Sequence, residues 1–235
     1  MEGGTPVGRR VVLGMLGLGT AGVLAGRWLQ EREQRVLAVV GSRDPTGLTQ
    51  LVPAGAGFRF YSVTGRVPAR TAAGYRLAVR GLVRRPAVLT LDDLRRLPRL
   101  ELTRDFQCVT GWRVPQVHWA GVALPDLLDH VGVRPTAVAV RFTSFDGAYA
   151  ESLTLDQARR PDVLVATEML GGPVTHAHGG PVRLYVAPMY GYKSIKWLDG
   201  IELTDRVVPG YWERQGYDVD AWVGRSNGRD DAPTG

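Results

Sequence analysis

From residue 58 onward, apolar and polar positions alternate in short runs, the period-two pattern of half-buried strands. Phe58, Phe60 and Ser62 mark one run. Tyr75, Leu77 and Val79 mark a second, which Gly81 ends. Val138, Val140 and Phe142 alternate along a third. Asp146-Gly147 is a strong hairpin-turn pair, so the returning strand falls over residues 149–153. Val163–Met169 and residues 182–186 are apolar runs bounded by turn residues.

Between these runs lie three short helices. Thr90 and Thr154 are each followed three residues later by Asp93 and Gln157, the reciprocal pattern of a capping box. Pro98 and Pro161 end both helices early. Residues 124–131 form the third, with Pro125 in the first turn and Gly132 at its end. The fold class is therefore α+β: mixed sheets, short helices and long Gly/Pro-rich loops. Loops hung on strands are where sites are built.

Composition narrows the function classes. Apolar residues are 44% of the chain and charged residues 22%, which argues against wholesale disorder. No apolar run reaches the ~20 residues of a comfortable membrane span. The net charge of +6 is partly local to the first forty residues, and no basic stripe is interleaved with aromatics, so nucleic acid is not an expected partner. Cys108 is the single cysteine. Intramolecular disulfides are excluded, and a Cys/His zinc site of four ligands is unsupported. Lys193 and Lys196 are the only lysines, and both fall within Gly191-Tyr-Lys-Ser-Ile-Lys-Trp197.

The first fifty residues admit two readings. Arg9-Arg10 precedes an uncharged, Gly-rich stretch over residues 11–25, as in a twin-arginine export signal or a retained anchor. The rival is a dinucleotide fingerprint, Gly17-Leu-Gly19-Thr-Ala-Gly22, with Asp44 downstream, implying a nicotinamide-dependent Rossmann enzyme. That motif needs further strand–helix–strand units, and a Gly/Pro-rich stretch follows instead. The expected organisation is a signal or anchor over 1–30, a linker over 31–57 and the folded domain over 58–235.

Cys108 sits where a strand meets a loop, beside Gly111 and Trp112, and thiolate is a soft metal ligand. A buried small hydrophobe is the plainer role for a free cysteine. His176 and His178 form an H-x-H pair that metal chemistry would complete with Asp146 or Glu168; contact with backbone or a polar ligand is the simpler reading. His118 and His130 carry no pattern. Arg183 begins an apolar strand and needs an anionic partner. The 190–197 segment offers backbone N–H groups, a hydroxyl and two ammonium groups, equipment for a phosphate and a polar ring system.

These segments carry a family resemblance. Phe106-Gln-Cys-Val-Thr-Gly-Trp112 with Trp119-Ala-Gly-Val-Ala-Leu-Pro125 resembles the molybdenum-cysteine loop of the sulfite oxidase family. So do His178-Gly-Gly-Pro-Val-Arg-Leu-Tyr-Val186 and Met189-Tyr-Gly-Tyr-Lys-Ser-Ile-Lys-Trp197. The bacterial branch related to the catalytic subunit of periplasmic methionine-sulfoxide reductase is the most similar. The resemblance runs from about residue 58 to about 204.

It implies a sulfite-oxidase-type fold holding a molybdenum-molybdopterin cofactor, with Cys108 as protein ligand of the metal and the catalytic residue. Phe60, Tyr61, Thr143, His178, Arg183, Ser194, Ile195 and Lys196 fall at positions that contact the cofactor. Arg183, Lys193 and Lys196 would offset its phosphate. His178 stands where the methionine-sulfoxide branch has an amide, a departure that bears on the substrate. The implied activity is two-electron oxygen-atom transfer on an S- or N-oxide or on sulfite, on a small molecule or a protein. Electrons would be exchanged with a separate partner, by analogy a membrane b-type cytochrome, outside the cytoplasm. A non-catalytic cofactor-binding or electron-relay module at the membrane is the alternative. The residues after Leu203 are expected to pack on the core or rim the entrance.

Overall fold

The computed structural model describes residues 57–59 and 61–234. The signal or anchor, the Gly17/Gly19/Gly22 fingerprint, the linker up to residue 56 and Phe60 lie outside the described residues.

The elements, in chain order, are β1 (Leu77–Gly81), β2 (Ala87–Leu89), α1 (Leu91–Arg96), β3 (Arg99–Gln107), β4 (Arg113–Ala123) and α2 (Leu124–Val131). They continue with β5 (Ala139–Ser144), β6 (Ala150–Thr154), α3 (Leu155–Ala158), β7 (Val163–Met169), β8 (Gly172–Pro173), β9 (Arg183–Val186) and β10 (Leu198–Thr204). Among the described residues they form two sheets. One has the order β2-β1-β10-β5-β6; the other runs β3-β4-β7-β8, with β9 also paired to β7. All strand pairings are antiparallel except β1 with β10, where Ala78 lies beside Gly200.

Local chemistry accounts for the helices. The Thr90 side chain accepts from Asp93 N at 3.1 Å, and the Asp93 carboxylate accepts from Thr90 N at 2.9 Å. The Thr90 hydroxyl also donates to that carboxylate at 2.6 Å, and this bond together with the one from Thr90 N holds the Asp93 carboxyl below its usual range. Thr154 and Gln157 repeat the box at 3.2 and 2.9 Å. Helix α2 buries Leu124, Leu127, Leu128 and Val131, the i, i+3, i+4, i+7 stripe of an amphipathic helix. The β5–β6 hairpin turns where Asp146 Oδ1 accepts the N–H groups of Ala148 and Tyr149, both at 2.9 Å.

Three strand expectations need correction. Among the described residues of 58–62, only Arg59 makes a lone bridge, and Tyr61 and Ser62 are outside any strand. Phe58 is buried in a cluster with Phe106 and Trp119, while Tyr61 packs tilted against Trp212, so the alternation there serves two separate packing contacts. Val138 is exposed and precedes β5, and Tyr75 precedes β1 while donating its hydroxyl to Leu198 O at 2.7 Å.

The larger core joins α2 to the inner residues of both sheets, including Leu77, Phe142, Val165 and Ile201. The smaller one, around Phe58, Phe106, Trp119 and Tyr185, lies under β3, β4 and β9. Trp119 and Tyr185 stack with ring centroids 4.2 Å apart. Among the described residues, no helix is long and apolar enough to cross a membrane.

Candidate active site

A cavity of about 630 Å³ opens where loops from both sheets meet. The strand β3 ends in buried Phe106 and Gln107, and the chain then reverses at Cys108. Gly111 N donates to Cys108 O at 3.0 Å, and Cys108 N donates to Trp112 O at 2.9 Å. Gly111 has φ +100°, and Arg229 stands 3.2 Å from where a Cβ would sit, so this turn requires glycine. The loop presents the half-buried Cys108 thiol to the cavity, with its Sγ 3.2 Å from Thr110 Oγ1. A thiolate accepts only, so Thr110 is the donor when the sulfur is ionised.

Arg183, at the start of β9, is buried beneath the cavity floor. Its Nη1 donates to His178 O at 2.7 Å and its Nη2 to Ser194 O at 2.9 Å. The guanidinium carbon lies 5.3 Å from the Trp119 ring centroid and 5.6 Å from that of Phe106. No carboxylate pairs with it among the described residues, and burial pulls its pKa down to about 10.

The turn after β9 brings Ser194, Ile195 and Lys196 to the same cavity. Ser194 Oγ accepts from Val186 N at 3.0 Å, fixing the turn against β9. Gly179 has φ +101°, and the Lys196 Cβ lies 2.6 Å from where its side chain would begin, so the lysine stem passes over bare backbone. Lys196 Nζ donates to Tyr61 O and lies 4.4 Å from the Trp197 centroid. Burial and then Arg183 pull Lys196 down to about 7. Burial, Arg183 and Lys196 together pull His178 down to about 4, so it is a neutral imidazole at pH 7.

The cavity thus has two sides. His178 feels Arg183 and Lys196, the cationic side. Tyr61 feels Tyr211, Tyr217 and Cys108, the aromatic side, and burial pushes its phenol up to about 12. Trp212 bridges this side, 5.6 Å from Tyr61 and 5.2 Å from Tyr217, ring centre to ring centre. Exposed Arg59 also lines the wall.

Of the residues singled out in the sequence, Tyr61, Cys108, His178, Arg183, Ser194, Ile195 and Lys196 line this cavity. Thr143 does not line it; its hydroxyl on β5 donates to Asp199 at 3.2 Å. Lys193 requires a correction. It does not line the cavity and is no counter-charge for a cofactor phosphate, because its Nζ is committed to Glu151 and Glu213 in the interior. His176 instead approaches Arg70 O at 3.3 Å, and Glu168 pairs with Arg99. Among the described residues no three His, Cys, Asp or Glu side chains gather as a metal site. Tyr149, Trp212 and Tyr217 line the cavity and were not singled out. The expectation that the tail rims the entrance was the available signal for the last two.

A fully buried guanidinium without a carboxylate partner, a neighbouring ammonium and a single thiol in one cavity define a site for a large anionic cofactor that takes a soft ligand. Residues 64–212 match the oxidoreductase molybdopterin binding domain, and the chain belongs to that family. It is a molybdenum-molybdopterin oxidoreductase of the sulfite oxidase type.

Among its relatives, the uncharacterized oxidoreductase YuiH of Bacillus subtilis (strain 168) is 37% identical, over 63% of this chain and 75% of that protein. Sulfite oxidase of Arabidopsis thaliana is 31% identical over 61% of this chain and 45% of the relative. The methionine-sulfoxide reductase catalytic subunit MsrP of Ralstonia nicotianae is 31% identical, over 59% and 46% respectively. The chain therefore spans less than half the length of these last two. The sulfane dehydrogenase SoxCD of Paracoccus pantotrophus superposes with a TM-score of 0.57 at 26% identity, over 61% of this chain and 41% of that one, and shares the fold.

Proposed function

We propose that the protein reduces a neutral S- or N-oxide, small or protein-borne, by two-electron oxygen-atom transfer, with Cys108 as the protein ligand of molybdenum. The observation that carries this reading is the division of one cavity into a cationic side around His178 and an aromatic side around Tyr61 and Cys108. When bound, the cofactor supplies the metal-centred exchange of two electrons and one oxygen.

The chain's own residues hold and orient. Arg183 and Lys196 would hold the cofactor's phosphate, and His178, Ser194 and Ile195 would hold its ring system. Neutral His178 offers a donor or an acceptor without adding charge. Thr110 donates to the Cys108 thiolate and fixes its lone pairs. Tyr61, Trp212 and Tyr217 receive the apolar body of the substrate, since aromatic faces suit sulfur-bearing groups. Sulfite, a small anion, is the poorer match to that side.

Electrons come from a separate redox protein, a membrane b-type cytochrome being the partner inferred by analogy. The twin-arginine pattern supports an extracytoplasmic site of action, with the N-terminus as export signal or anchor. Thr143 stays among the proposed cofactor contacts on the family resemblance alone; its hydroxyl bonds Asp199, which pairs with Arg70.

The test is metal analysis paired with fluorescence of the oxidised pterin, on wild type and Cys108→Ala made in a cofactor-competent host. Wild type is expected to carry near-stoichiometric molybdenum and to turn over a neutral sulfoxide faster than sulfite, and Cys108→Ala to lose turnover. Metal-free wild type, or sulfite as the better substrate, would overturn the reading.

A further inference from the structure

Behind the aromatic side lies a charge cluster that the reading above leaves unused. Lys193 is fully buried, and its Nζ donates to Glu151 Oε2 at 3.0 Å, Ser152 O at 3.0 Å and Glu213 Oε1. Three acceptors for three N–H bonds keep it an ammonium. One ammonium against two carboxylates leaves a charge of −1, and none of the three side chains reaches solvent. An uncompensated buried charge is costly, and the ordinary relief is uptake of a proton.

The geometry selects which carboxyl takes it. The free oxygen of Glu213 accepts from Gly210 N. Glu151 Oε1 faces the Tyr149 hydroxyl at 3.5 Å, and that hydroxyl donates to Tyr192 O at 2.7 Å. A protonated Glu151 therefore has an acceptor in Tyr149 Oη, and Tyr149 lines the cavity. The groups that act on Glu151 are Lys193 from the turn after β9, Ser152 N and Tyr149 from around β6, and Glu213 from the tail through Lys193. Tyr192 and Asp220 stand further out, acting through Tyr192's own titration and through Lys193.

We propose that the Glu151–Lys193–Glu213 cluster is a proton store for the cavity, with Glu151 delivering its proton through the Tyr149 hydroxyl to the oxygen that leaves the substrate. The proposal rests on oxide reduction as the reaction. Releasing that oxygen as water takes two protons for the two electrons that the redox partner supplies. The Tyr149 O–H bond breaks toward the leaving oxygen. The Glu151 O–H bond breaks and its proton restores the Tyr149 hydroxyl. The cluster returns to −1 and is refilled by the same relay, Tyr149 passing a proton inward from cavity water, so each turnover takes two deliveries with a refilling after each. Glu151 acts through Tyr149 and is a positioning residue in this scheme. Burial pushes its carboxyl up to about 6, with Lys193 opposing, so the store is filled below that pH and empties above it.

Infrared spectroscopy of the cofactor-free and the loaded protein tests this. Wild type is expected to show a protonated-carboxyl stretch that disappears as pH rises through about 6, in both forms. Glu151→Gln should remove it. Glu213→Gln, which neutralises the cluster, should move its midpoint at least one pH unit lower. Tyr149→Phe should keep the band yet cut sulfoxide turnover about tenfold and flatten its decline above pH 6. A wild type with no carboxyl band titrating between pH 5 and 7 overturns the proposal, as does a Glu151→Gln variant with the wild-type pH–rate profile. If Glu151→Gln fails to fold, the Glu213→Gln shift decides. Failure of the cofactor reading appears separately, as absent molybdenum with the infrared band unchanged.

Discussion

Replacing Arg183 by methionine separates what this side chain does for the fold from what it does for the cofactor. Burial pulls the guanidinium down to about 10, and at ~1.4 kcal/mol per pH unit its charge costs the cofactor-free protein on the order of 3 kcal/mol. Methionine removes that cost while filling similar volume. Against it, His178 O and Ser194 O lose their donors, at about 1–3 kcal/mol each, and the contacts over Phe106 and Trp119 forfeit roughly 0.5–2 kcal/mol. The losses come to about 2.5–8 kcal/mol against about 3 recovered, so Arg183→Met should destabilise the cofactor-free protein by no more than about 5 kcal/mol.

The loaded protein should respond differently. A paired guanidinium–phosphate contact is charge-assisted, and losing about 3 kcal/mol of it weakens retention roughly a hundredfold. Urea denaturation of protein from a host that cannot make the cofactor measures the first quantity. Molybdenum and pterin retained through gel filtration, after production in a competent host, measure the second. A loss above 5 kcal/mol without cofactor, or wild-type retention with it, would refute the assignment of Arg183 as an uncompensated charge awaiting an anion.

Two further outcomes follow from neighbouring groups. Thr110→Val removes the donor on the Cys108 sulfur at 3.2 Å, so the thiolate becomes a stronger donor to the metal. The thiolate-to-metal absorption band should move to lower energy and the reduction potential should fall, with molybdenum content unchanged; an unshifted band rejects the contact. Lys196 is pulled down to about 7, well below its value in the unfolded chain. Below pH 7 both states are protonated and the full penalty of the buried charge is present; as pH rises from 7 toward 10 the unfolded state binds more protons, so its contribution to folding stability improves. The urea midpoint of the cofactor-free protein should therefore gain between pH 7 and 9, and Lys196→Met should flatten that rise.

Local signals in the sequence carried over where their physics is local. Both capping boxes, the proline-started α2 and the Asp146-Gly147 hairpin are decided by groups within a few residues of each other, and each forms. The parallel pairing of β1 with β10 has no such signature, because its partners are more than a hundred residues apart. Site chemistry divides the same way. Gly111 beside Cys108 is legible as a bend, and the 194–196 segment as a polar turn, which lines the cavity. The fate of Lys193 was not, because Glu151 and Glu213 lie 42 and 20 residues away in sequence and capture it only in the folded chain. Two lysines three residues apart look equivalent in sequence, yet one faces the cavity and the other the interior.

The tail gives the cavity a wall in two parts. The wall formed by Cys108, Arg183 and the 194–196 turn lies well inside the matched domain, whereas Trp212 is its last residue and Tyr217 lies beyond it. Selection can therefore redraw the substrate rim by exchanging one short terminal segment while leaving the cofactor wall intact. The same partition suits engineering: a grafted tail is a cassette, anchored at Glu213 and interchangeable at the two aromatic positions that face incoming molecules.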